Sequence, residues 1–557
     1  MSGYSEKDDL LFLPLGGCGE IGMNLNLYCC DGKWLMVDLG MTFAGENLPG
    51  IDLIFPDPAF IVGKRRNLIG LVLTHGHEDH IGAVPYLWPQ LGCPIYATPF
   101  TAELVRRKLA ERDLLDAADI REMELGASFE VGPFAISYIA LAHSIAEGNA
   151  LKIETRHGLI FHTGDWKLDE EAIVGTPASG EELSALGDEG VLAMIGDSTN
   201  VFNPRASGSE TAVAKSLKKI VGQKTGRVVV TTFASNVARL QTVGRIAGET
   251  GRRLALLGRS MRRVYEAARA TGYLREFPEL LDENQIMDVP RDKLLVLTTG
   301  CQGEPRAALN RIVTGDFRSL TLSPNDTVIF SSKIIPGNEH PISALINRLV
   351  LDDVEVITEH DAFVHVSGHP GQPELRDMYG WIRPQIAIPV HGEARHIKRH
   401  AELAKEVGVP RTLRPLNGDV VRLAPDGPQL VDQVPTGRLV LDGEKVLSIA
   451  SEPIAERRRM LFAGHLGVSL ALNGKGNLIV PAALVARGIP GWADDCALEE
   501  DVRRAVAETL AALGRRNLLD DLVVEEAVRI AVRRVLRQDT GKKPVTVVRV
   551  LRITDLK

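Results

Sequence analysis

Three imidazoles and two carboxylates stand within the six residues His75-Gly76-His77-Glu78-Asp79-His80, in a chain with only 14 histidines among its 557 residues. Neutral imidazole nitrogen and carboxylate oxygen are the donors that zinc and manganese take. Two residues apart on a loop, His75 and His77 can converge on one cation, and Asp79 and His80 then turn toward a second. A pair of divalent cations lowers the pKa of water and stabilises the attacking and leaving oxygens of a displacement, so the chemistry implied is hydrolysis. A His-X-His on an ordinary surface loop would carry no such meaning. Here the cluster follows directly on the apolar run Leu71-Val72-Leu73-Thr74, which places it at a strand end, where a site is rigidly held yet reaches solvent.

Six residues supply too few ligands for two ions, so the rest must come from distant strand ends. His143 in Leu141-Ala142-His143-Ser144, Asp165 in His162-Thr163-Gly164-Asp165 and His391 in Pro389-Val390-His391-Gly392-Glu393 are the candidates. The Asp165 carboxylate has the two oxygens needed to bridge both ions. Asp38, after Leu35-Met36-Val37, is placed to anchor a histidine ring from behind.

The elements that must position these residues read as short buried strands ending in polar or glycine-rich turns, at 10–15, 34–38, 69–74, 134–140, 159–162 and 191–196. From 207 to 365 the texture changes to helix and strand in alternation, with helices expected at 210–221, 236–250 and 260–271 and strands at 226–232 and 253–257. Strands and histidines return after 365. The simplest topology is a metal-binding domain (1–206 and 366–445) interrupted by an inserted α/β domain (207–365). A linker is expected at 446–460, around the basic run Arg457-Arg458-Arg459. Residues 461–557 should form a small α/β domain, with one helical stripe of Leu498, Val502, Val506, Leu510 and Leu513, another of Val524, Val528, Ala531 and Val535, and a strand after Gly541-Lys542-Lys543-Pro544.

Composition narrows the class. Hydrophobic residues make up 45% and charged residues 24%, as in soluble globular proteins. No apolar run approaches the roughly 18 residues a membrane span needs. The N-terminal MSGYSEKDD has no signal-peptide character, so a cytoplasmic location without membrane contact is expected. The six cysteines form no Cys-X-X-Cys and are expected to be reduced. A net charge of −8 argues against a uniformly basic nucleic-acid-coating surface, but leaves room for bound cations and local arginines to attract a polyanion.

Asp38, His75-Gly76-His77-Glu78-Asp79-His80, His143 and Asp165 together resemble, in order, the four motifs of the metallo-β-lactamase superfamily. The resemblance implies an αββα sandwich with a dinuclear site between the sheets. Three later segments resemble the β-CASP nucleases within it: Gly196-Asp197-Ser198-Thr199-Asn200, with Asp197 as the acidic residue; His365-Val366-Ser367-Gly368-His369, with His369 in the key position; and His391. The inserted α/β region is then the β-CASP domain that clamps nucleic acid over the metals. Gly16-Gly17-Cys18-Gly19-Glu20-Ile21-Gly22, Thr231-Thr232-Phe233-Ala234-Ser235-Asn236, Thr298-Thr299-Gly300-Cys301-Gln302-Gly303-Glu304-Pro305 and Ile335-Pro336-Gly337-Asn338-Glu339 narrow the resemblance to the ribonuclease J family.

That resemblance implies a 5′→3′ exoribonuclease that also cuts internally, favours 5′-monophosphorylated RNA and serves rRNA processing and mRNA decay. It implies two zinc ions per chain, with manganese or magnesium as alternatives in the cell. His365, Ser367 and Gly368 would donate to a terminal phosphate, while Phe233, Ala234 and Ser235 cradle the first nucleotide. Asp79 and Asp165 would position the ions, with His369, steadied by Asp197, either donating a proton to the leaving oxygen or stabilising it, or else contacting a phosphate. A homodimer or homotetramer through the C-terminal domain and other RNA-decay proteins as partners are also implied. So is a structural calcium near Gly50, Asp52 and Asp442.

Other readings compete. Gly17-Cys18-Gly19-Glu20-Ile21-Gly22 has the spacing of a dinucleotide loop, but strand-like residues follow where a helix is required. His396 and His400, beside Lys398 and Arg399, are expected on a solvated helix face. Ser144-Ile145-Ala146-Glu147 lacks the Pro-Asp common after this histidine in relatives, and Ala238 stands where many carry histidine. Neither departure removes a ligand. A β-CASP endonuclease for another nucleic acid, or a non-catalytic RNA-binding scaffold, are the alternatives. The scaffold would be expected to have lost ligands.

Overall fold

The structure is a computed structural model and describes residues 3–45, 47–493 and 496–553; the side chain of Cys496 falls outside what is described. The chain divides into two compact units, one of residues 1–42 and 55–438, the other of residues 43–54 and 439–557.

The first unit is built on two sheets packed face to face. One has eight strands in the order Gln429–Gln433, Asp419–Ala424, Leu10–Gly16, Leu25–Cys30, Lys33–Val37, Leu68–Val72, Ile95–Ala97 and Ile120–Glu122. The other has seven, in the order Ser128–Val131, Phe134–Ala140, Asn149–Thr155, Gly158–His162, Val191–Asp197, Ile386–Val390 and Arg411–Thr412. Phe12, Tyr28 and Leu35 of the first sheet and Phe134, Ile153 and Ile388 of the second belong to one buried cluster. Runs such as LLFLPLG are apolar throughout because these strands are covered on both faces. The outer face of the second sheet is covered by helices, among them Gly180–Asp188, Gln372–Ile382 and Ala394–Glu406, through Leu183, Leu375, Met378 and Leu403. This is the expected αββα sandwich.

The insertion is visible in the strand register. Val191–Asp197 pairs in parallel with Ile386–Val390, from Ala193 opposite Ile386 to Asp197 opposite Val390. The chain between them forms a separate five-stranded parallel sheet in the order Arg253–Leu257, Leu294–Thr298, Val228–Thr231, Thr327–Phe330 and Glu355–Ile357. Strand order reverses at the central Val228–Thr231, and such a switch point opens a crevice beyond the carboxyl ends of the strands. The Phe233-Ala234-Ser235 loop leaves from that point.

The second unit contains a three-stranded sheet, Ala483–Arg487, His465–Asn473 and Val545–Ile553. Leu466, Val468, Leu470 and Leu472 pack one of its faces on the helices Cys496–Ala512 and Asp521–Thr540. The first expected stripe is buried from Leu498 to Leu510. In the second helix the buried row is Val524, Val528, Val532 and Leu536, with Val535 only partly covered. That row follows i+4 spacing and runs aslant the helix axis, whereas 524, 528, 531, 535 runs along it.

Where a linker is expected the chain is ordered. Arg438–Asp442 and Lys445–Ser448 form a hairpin around the Asp442-Gly443 turn, and Glu452–Ala463 is a helix. No described helix is long and apolar enough to cross a membrane. Cys18, Cys29, Cys30, Cys93 and Cys301 are buried free thiols, and burial pushes the Cys18, Cys29, Cys93 and Cys301 thiols well up.

Candidate metal centre

Every predicted ligand lies where a strand of the sandwich ends. His75 follows Leu68–Val72, His143 follows Phe134–Ala140, Asp165 follows Gly158–His162, and His391 follows Ile386–Val390. His77 leads the short helix Glu78–Ile81, which carries Asp79 and His80. Asp38 and His391 hold φ of 63° and 51°, in the left-handed region that non-glycine residues seldom occupy, and such strain persists only where surrounding contacts enforce it. Gly40 shows how tightly the loop is set: a Cβ there would lie 1.7 Å from the carbonyl oxygen of Asp79.

Among the described residues the donors form three overlapping groups that all include the Asp165 carboxylate. His75, His77, His143 and Asp165 make the first; Asp79, His80, Asp165 and His391 make the second; Asp165, Asp197, His369 and His391 make the third, and within each group the donor atoms lie within 4.8 Å of one another. In the first, His77 Nδ1 is 3.1 Å from His75 Nε2 and 3.0 Å from His143 Nε2. Asp165 Oδ2 lies 4.0 Å from His75 Nε2, 3.8 Å from His143 Nε2 and 3.2 Å from His80 Nε2. In the second, Asp79 Oδ2 is 3.6 Å from His80 Nε2 and 3.2 Å from His391 Nε2.

The far side of each ring in the first group decides what the near side can do. A neutral imidazole has one N–H. His143 Nδ1 lies 2.6 Å from the Gly368 carbonyl oxygen, which can only accept, so His143 donates outward. His75 Nδ1 lies 3.0 Å from Thr74 Oγ1, whose own proton goes to Asp38 at 2.9 Å, so His75 also donates outward. His77 Nε2 is 3.0 Å from Ser235 Oγ. With His75 and His143 donating outward, their inner lone pairs both face His77 Nδ1. Burial and mutual repulsion hold these rings neutral, with His75 and His143 well below the usual histidine range and His77 down to about 4. Two buried lone pairs converging beside a third imidazole nitrogen make a site that a cation fits. His391 differs: both its ring nitrogens face carboxylates, Nε2 at 3.2 Å from Asp79 Oδ2 and Nδ1 at 2.8 Å from Asp165 Oδ1, and these hold its pKa well above the usual histidine range against the cost of burial. The donor set of nitrogen and carboxylate oxygen fits zinc or manganese.

His80 is anchored as expected: its Nδ1 lies 2.7 Å from Asp38 Oδ2, and the Thr74 backbone N–H donates to Asp38 Oδ1 at 2.8 Å. Thr74 thus ties Asp38 to two ligand rings, a role the sequence signalled only by its place before His75. The carboxyls of Asp79, Asp165 and Asp197 are held well below their ordinary range against the cost of burial, by the neighbouring His80 and His391 for the first two and by His369 for Asp197.

His369 stands at the edge of the cluster. Its Nδ1 lies 2.8 Å from Asp197 Oδ2 and 3.9 Å from Asp165 Oδ2. Asp197 is fixed in turn by the Thr199 backbone N–H at 2.8 Å. The segment leading to His369 is pinned at both ends. The Gly368 carbonyl receives His143, and a Cβ at Gly368 would lie 2.7 Å from Ser144 Oγ. The Val364 carbonyl receives Arg239 at 3.0 Å and Ser331 Oγ at 2.7 Å. Ser367 Oγ is engaged in a local turn with the backbone of His369, donating to its carbonyl at 3.0 Å. His365 is half-buried, its buried Nδ1 has no hydrogen-bond partner, and its pKa is driven down to about 3 by desolvation and then by Arg239, Lys333 and Lys167. Phe233, Ala234 and Ser235 are half-buried, and Val366 is buried.

Two expectations are corrected. His396 and His400 do not face solvent. His400 is fully buried between Ser198 Oγ and the Tyr379 hydroxyl, both at 2.9 Å, and His396 is buried against Phe202, because this helix packs on the sheet rather than lying on the surface. The calcium expectation does not fit either. Both Asp442 oxygens accept from Arg457, at 2.8 and 2.6 Å, and a Cβ on Gly50 would lie 3.8 Å from the same guanidinium. Asp52 is exposed, and its carbonyl receives Ala44 N–H at 2.9 Å. Calcium seeks six or more oxygens, and a fixed positive group already neutralises Asp442. Excess calcium is therefore expected to leave the thermal unfolding midpoint of the chelator-washed protein unchanged; a saturable rise in calorimetry would contradict this.

A two-sheet sandwich with a shared carboxylate between two histidine-rich groups defines a metallo-β-lactamase-type, metal-dependent hydrolase. Residues 26–231 match the model of the metallo-beta-lactamase superfamily, 225–349 that of the ribonuclease J beta-CASP domain, 353–413 the Zn-dependent metallo-hydrolase RNA specificity domain, and 453–553 the ribonuclease J C-terminal domain. The chain is 43% identical to ribonuclease J of Sinorhizobium meliloti over 99% of its own length and 98% of that protein. It is 36% identical to the ribonuclease J proteins of Mycolicibacterium smegmatis and Thermus thermophilus, over 97% of its length and 96% and 94% of theirs. A crystal structure of a protein of unknown function from Enterococcus faecalis V583 superimposes with a TM-score of 0.52 at 14% identity, covering 74% of this chain and all of that one, which bears on the fold alone. The chain belongs to the ribonuclease J family, and it is a metal-dependent ribonuclease.

Proposed function

We propose that this enzyme degrades RNA from the 5′ end in the 5′→3′ direction and also cuts internally, favours a 5′-monophosphate, and serves RNA maturation, including that of rRNA, and mRNA decay in the cytoplasm. We assign two zinc ions to the centre, replaceable by manganese or magnesium. One is held by His75, His77, His143 and Asp165, the other by Asp79, His80, His391 and Asp165. The observation that carries the 5′-end reading is the continuity of the segment His365–His369 with the metal cluster. The Gly368 carbonyl orients a ligand ring, and the next residue, His369, stands beside Asp197 and Asp165. Upstream, positive charge collects around His365. Lys167 and Arg239 are neutralised by Asp169 and Glu210, each at 2.9 Å, while Lys333 is exposed and suited to a terminal phosphate.

When bound, the cations supply positive charge for in-line attack of water on the scissile phosphorus. The protein's own residues do the rest. Asp165, which belongs to both donor groups and would be shared by the two ions, and the Asp38–His80 pair hold the ligand side chains in place. Asp197 holds the Nδ1 proton of His369 and raises its basicity, leaving Nε2 to deliver a proton to the departing 3′-oxygen. Breaking the P–O3′ bond leaves a 3′-hydroxyl on the released nucleotide and a 5′-phosphate on the remaining RNA. The product end is thus again a substrate end, which favours stepwise cutting. All seven ligands are gathered, which supports an enzyme over a scaffold. We assign homodimer or homotetramer formation to the C-terminal domain.

Two RNAs of one sequence, bearing 5′-monophosphate or 5′-triphosphate, test the reading. Mononucleotides should appear progressively from the monophosphate form and at least about tenfold more slowly from the triphosphate, since each 1.4 kcal/mol of lost end recognition is a factor of ten. Equal rates, or internal fragments alone from both, would discard it.

A further inference from the structure

We propose that Ser235 is a positioning residue of the metal centre, taking the Nε2 proton of His77 and thereby turning His77 Nδ1 toward His75 and His143. The proposal rests on the reading of His77 as a metal ligand.

Ser235 Oγ lies 3.0 Å from His77 Nε2, and His77 Nδ1 lies 3.1 and 3.0 Å from the inward nitrogens of His75 and His143. One proton serves both faces of the ring. Placed on Nε2 and held by the serine, it leaves Nδ1 as a lone pair for a cation; placed on Nδ1, it abolishes that donor. The anchors differ in origin. His75 is held by its own neighbour Thr74, and His143 by the Gly368 carbonyl. His77 alone of the three is held by a side chain of the inserted domain, in the loop after Val228–Thr231.

That loop is itself rigidly seated. Asn236 N–H donates to the Phe233 carbonyl at 3.2 Å, and Val237 N–H to that of Ser235 at 2.9 Å. Asn236 Oδ1 caps the helix Val237–Glu249 by accepting from the Arg239 backbone N–H at 2.8 Å. Arg239 is fully buried, paired with Glu210, and also holds the Val364 carbonyl. The segment that leads to the proposed phosphate pocket and the loop that sets His77 therefore share one anchor. With its hydroxyl committed to His77, Ser235 leaves Phe233 and Ala234 to meet the first nucleotide. Seating that nucleotide and holding the metal then act on the same loop, and linkage between the two binding events is reciprocal.

Chelator competition followed by native mass spectrometry tests the assignment in full-length protein loaded with zinc. Ser235→Ala should lose zinc at a roughly 10- to 100-fold lower chelator concentration, as loss of a hydrogen bond behind a ligand does. Its kcat on RNA should fall with KM little changed. Ser235→Thr, which keeps the hydroxyl, should restore zinc retention, and Ser235→Cys, of similar size, should not. Wild-type zinc retention in Ser235→Ala, or equal loss in Ser235→Thr, overturns the proposal. His77→Ala is the control for the reading beneath it: if that variant keeps both ions, His77 is not a ligand and the metal assignment itself fails.

Discussion

Replacing Asp165 by asparagine is expected to reduce RNA hydrolysis by on the order of a thousandfold and, on the proposed assignment of two ions per chain, to cost the purified protein at least one of them. Among the described residues no other side chain sits in all three donor groups, and its Oδ2 approaches His75, His80 and His143 while Oδ1 lies 2.8 Å from His391 Nδ1. Asparagine keeps the shape and removes the charge. The near-parallel loss of metal and rate follows because the carboxylate's charge offsets part of the repulsion between two adjacent cations. A cation pair contributes several kcal/mol to stabilising a phosphoryl transition state, and each 1.4 kcal/mol is about a factor of ten. Elemental analysis and a single-turnover digest would check both numbers. Full zinc occupancy with wild-type turnover would show that the ions are held without the bridge.

The second large effect falls away from the chemistry. Arg239→Met is expected to destabilise the protein by about 3–5 kcal/mol, because it leaves the Glu210 carboxylate buried without its partner. Arg239 donates to Glu210 at 2.9 and 3.2 Å, to the Ser331 carbonyl at 3.0 Å and to the Val364 carbonyl at 3.0 Å, all out of contact with solvent. A loss of that size is a large part of the roughly 5–15 kcal/mol by which domains are stable. Adding Glu210→Gln should recover part of it, since the stranded charge is then gone. Urea unfolding of the single and double variants measures the difference. If the double variant is less stable than Arg239→Met, the cost arises from the lost backbone anchors rather than from the unpaired carboxylate.

The two experiments separate what sequence and structure each decide. The His75–His80 cluster was legible because ligand spacing within one loop is a local property, as was the switch from buried-strand runs to α/β alternation near residue 207. The C-terminal stripes were legible in the same way, although the slant of the second appeared only once it packed on a sheet. His143, Asp165 and His391 could be named as candidates from strand-end placement and family motifs. That their donor atoms share one point depends on Val191–Asp197 pairing with Ile386–Val390 across the whole insertion, a contact no local pattern encodes.

Other roles are not legible in the sequence because they are set by partners far along the chain. His400 looked solvated beside lysine and arginine, yet it lies between Ser198 and Tyr379. The family resemblance implies Asp442 as a calcium ligand, yet Arg457 donates to both its oxygens. Arg239 carried no signal of burial, since an arginine enters a core only where a carboxylate waits for it. The sequence by itself determined that this protein binds metal and hydrolyses, because donor chemistry is written in residue types. Only the tertiary structure decided how the opening cluster is completed and oriented: imidazole has two nitrogens, and which one faces the cation is fixed by Thr74, Gly368, Asp38 and Ser235 on the far side of each ring.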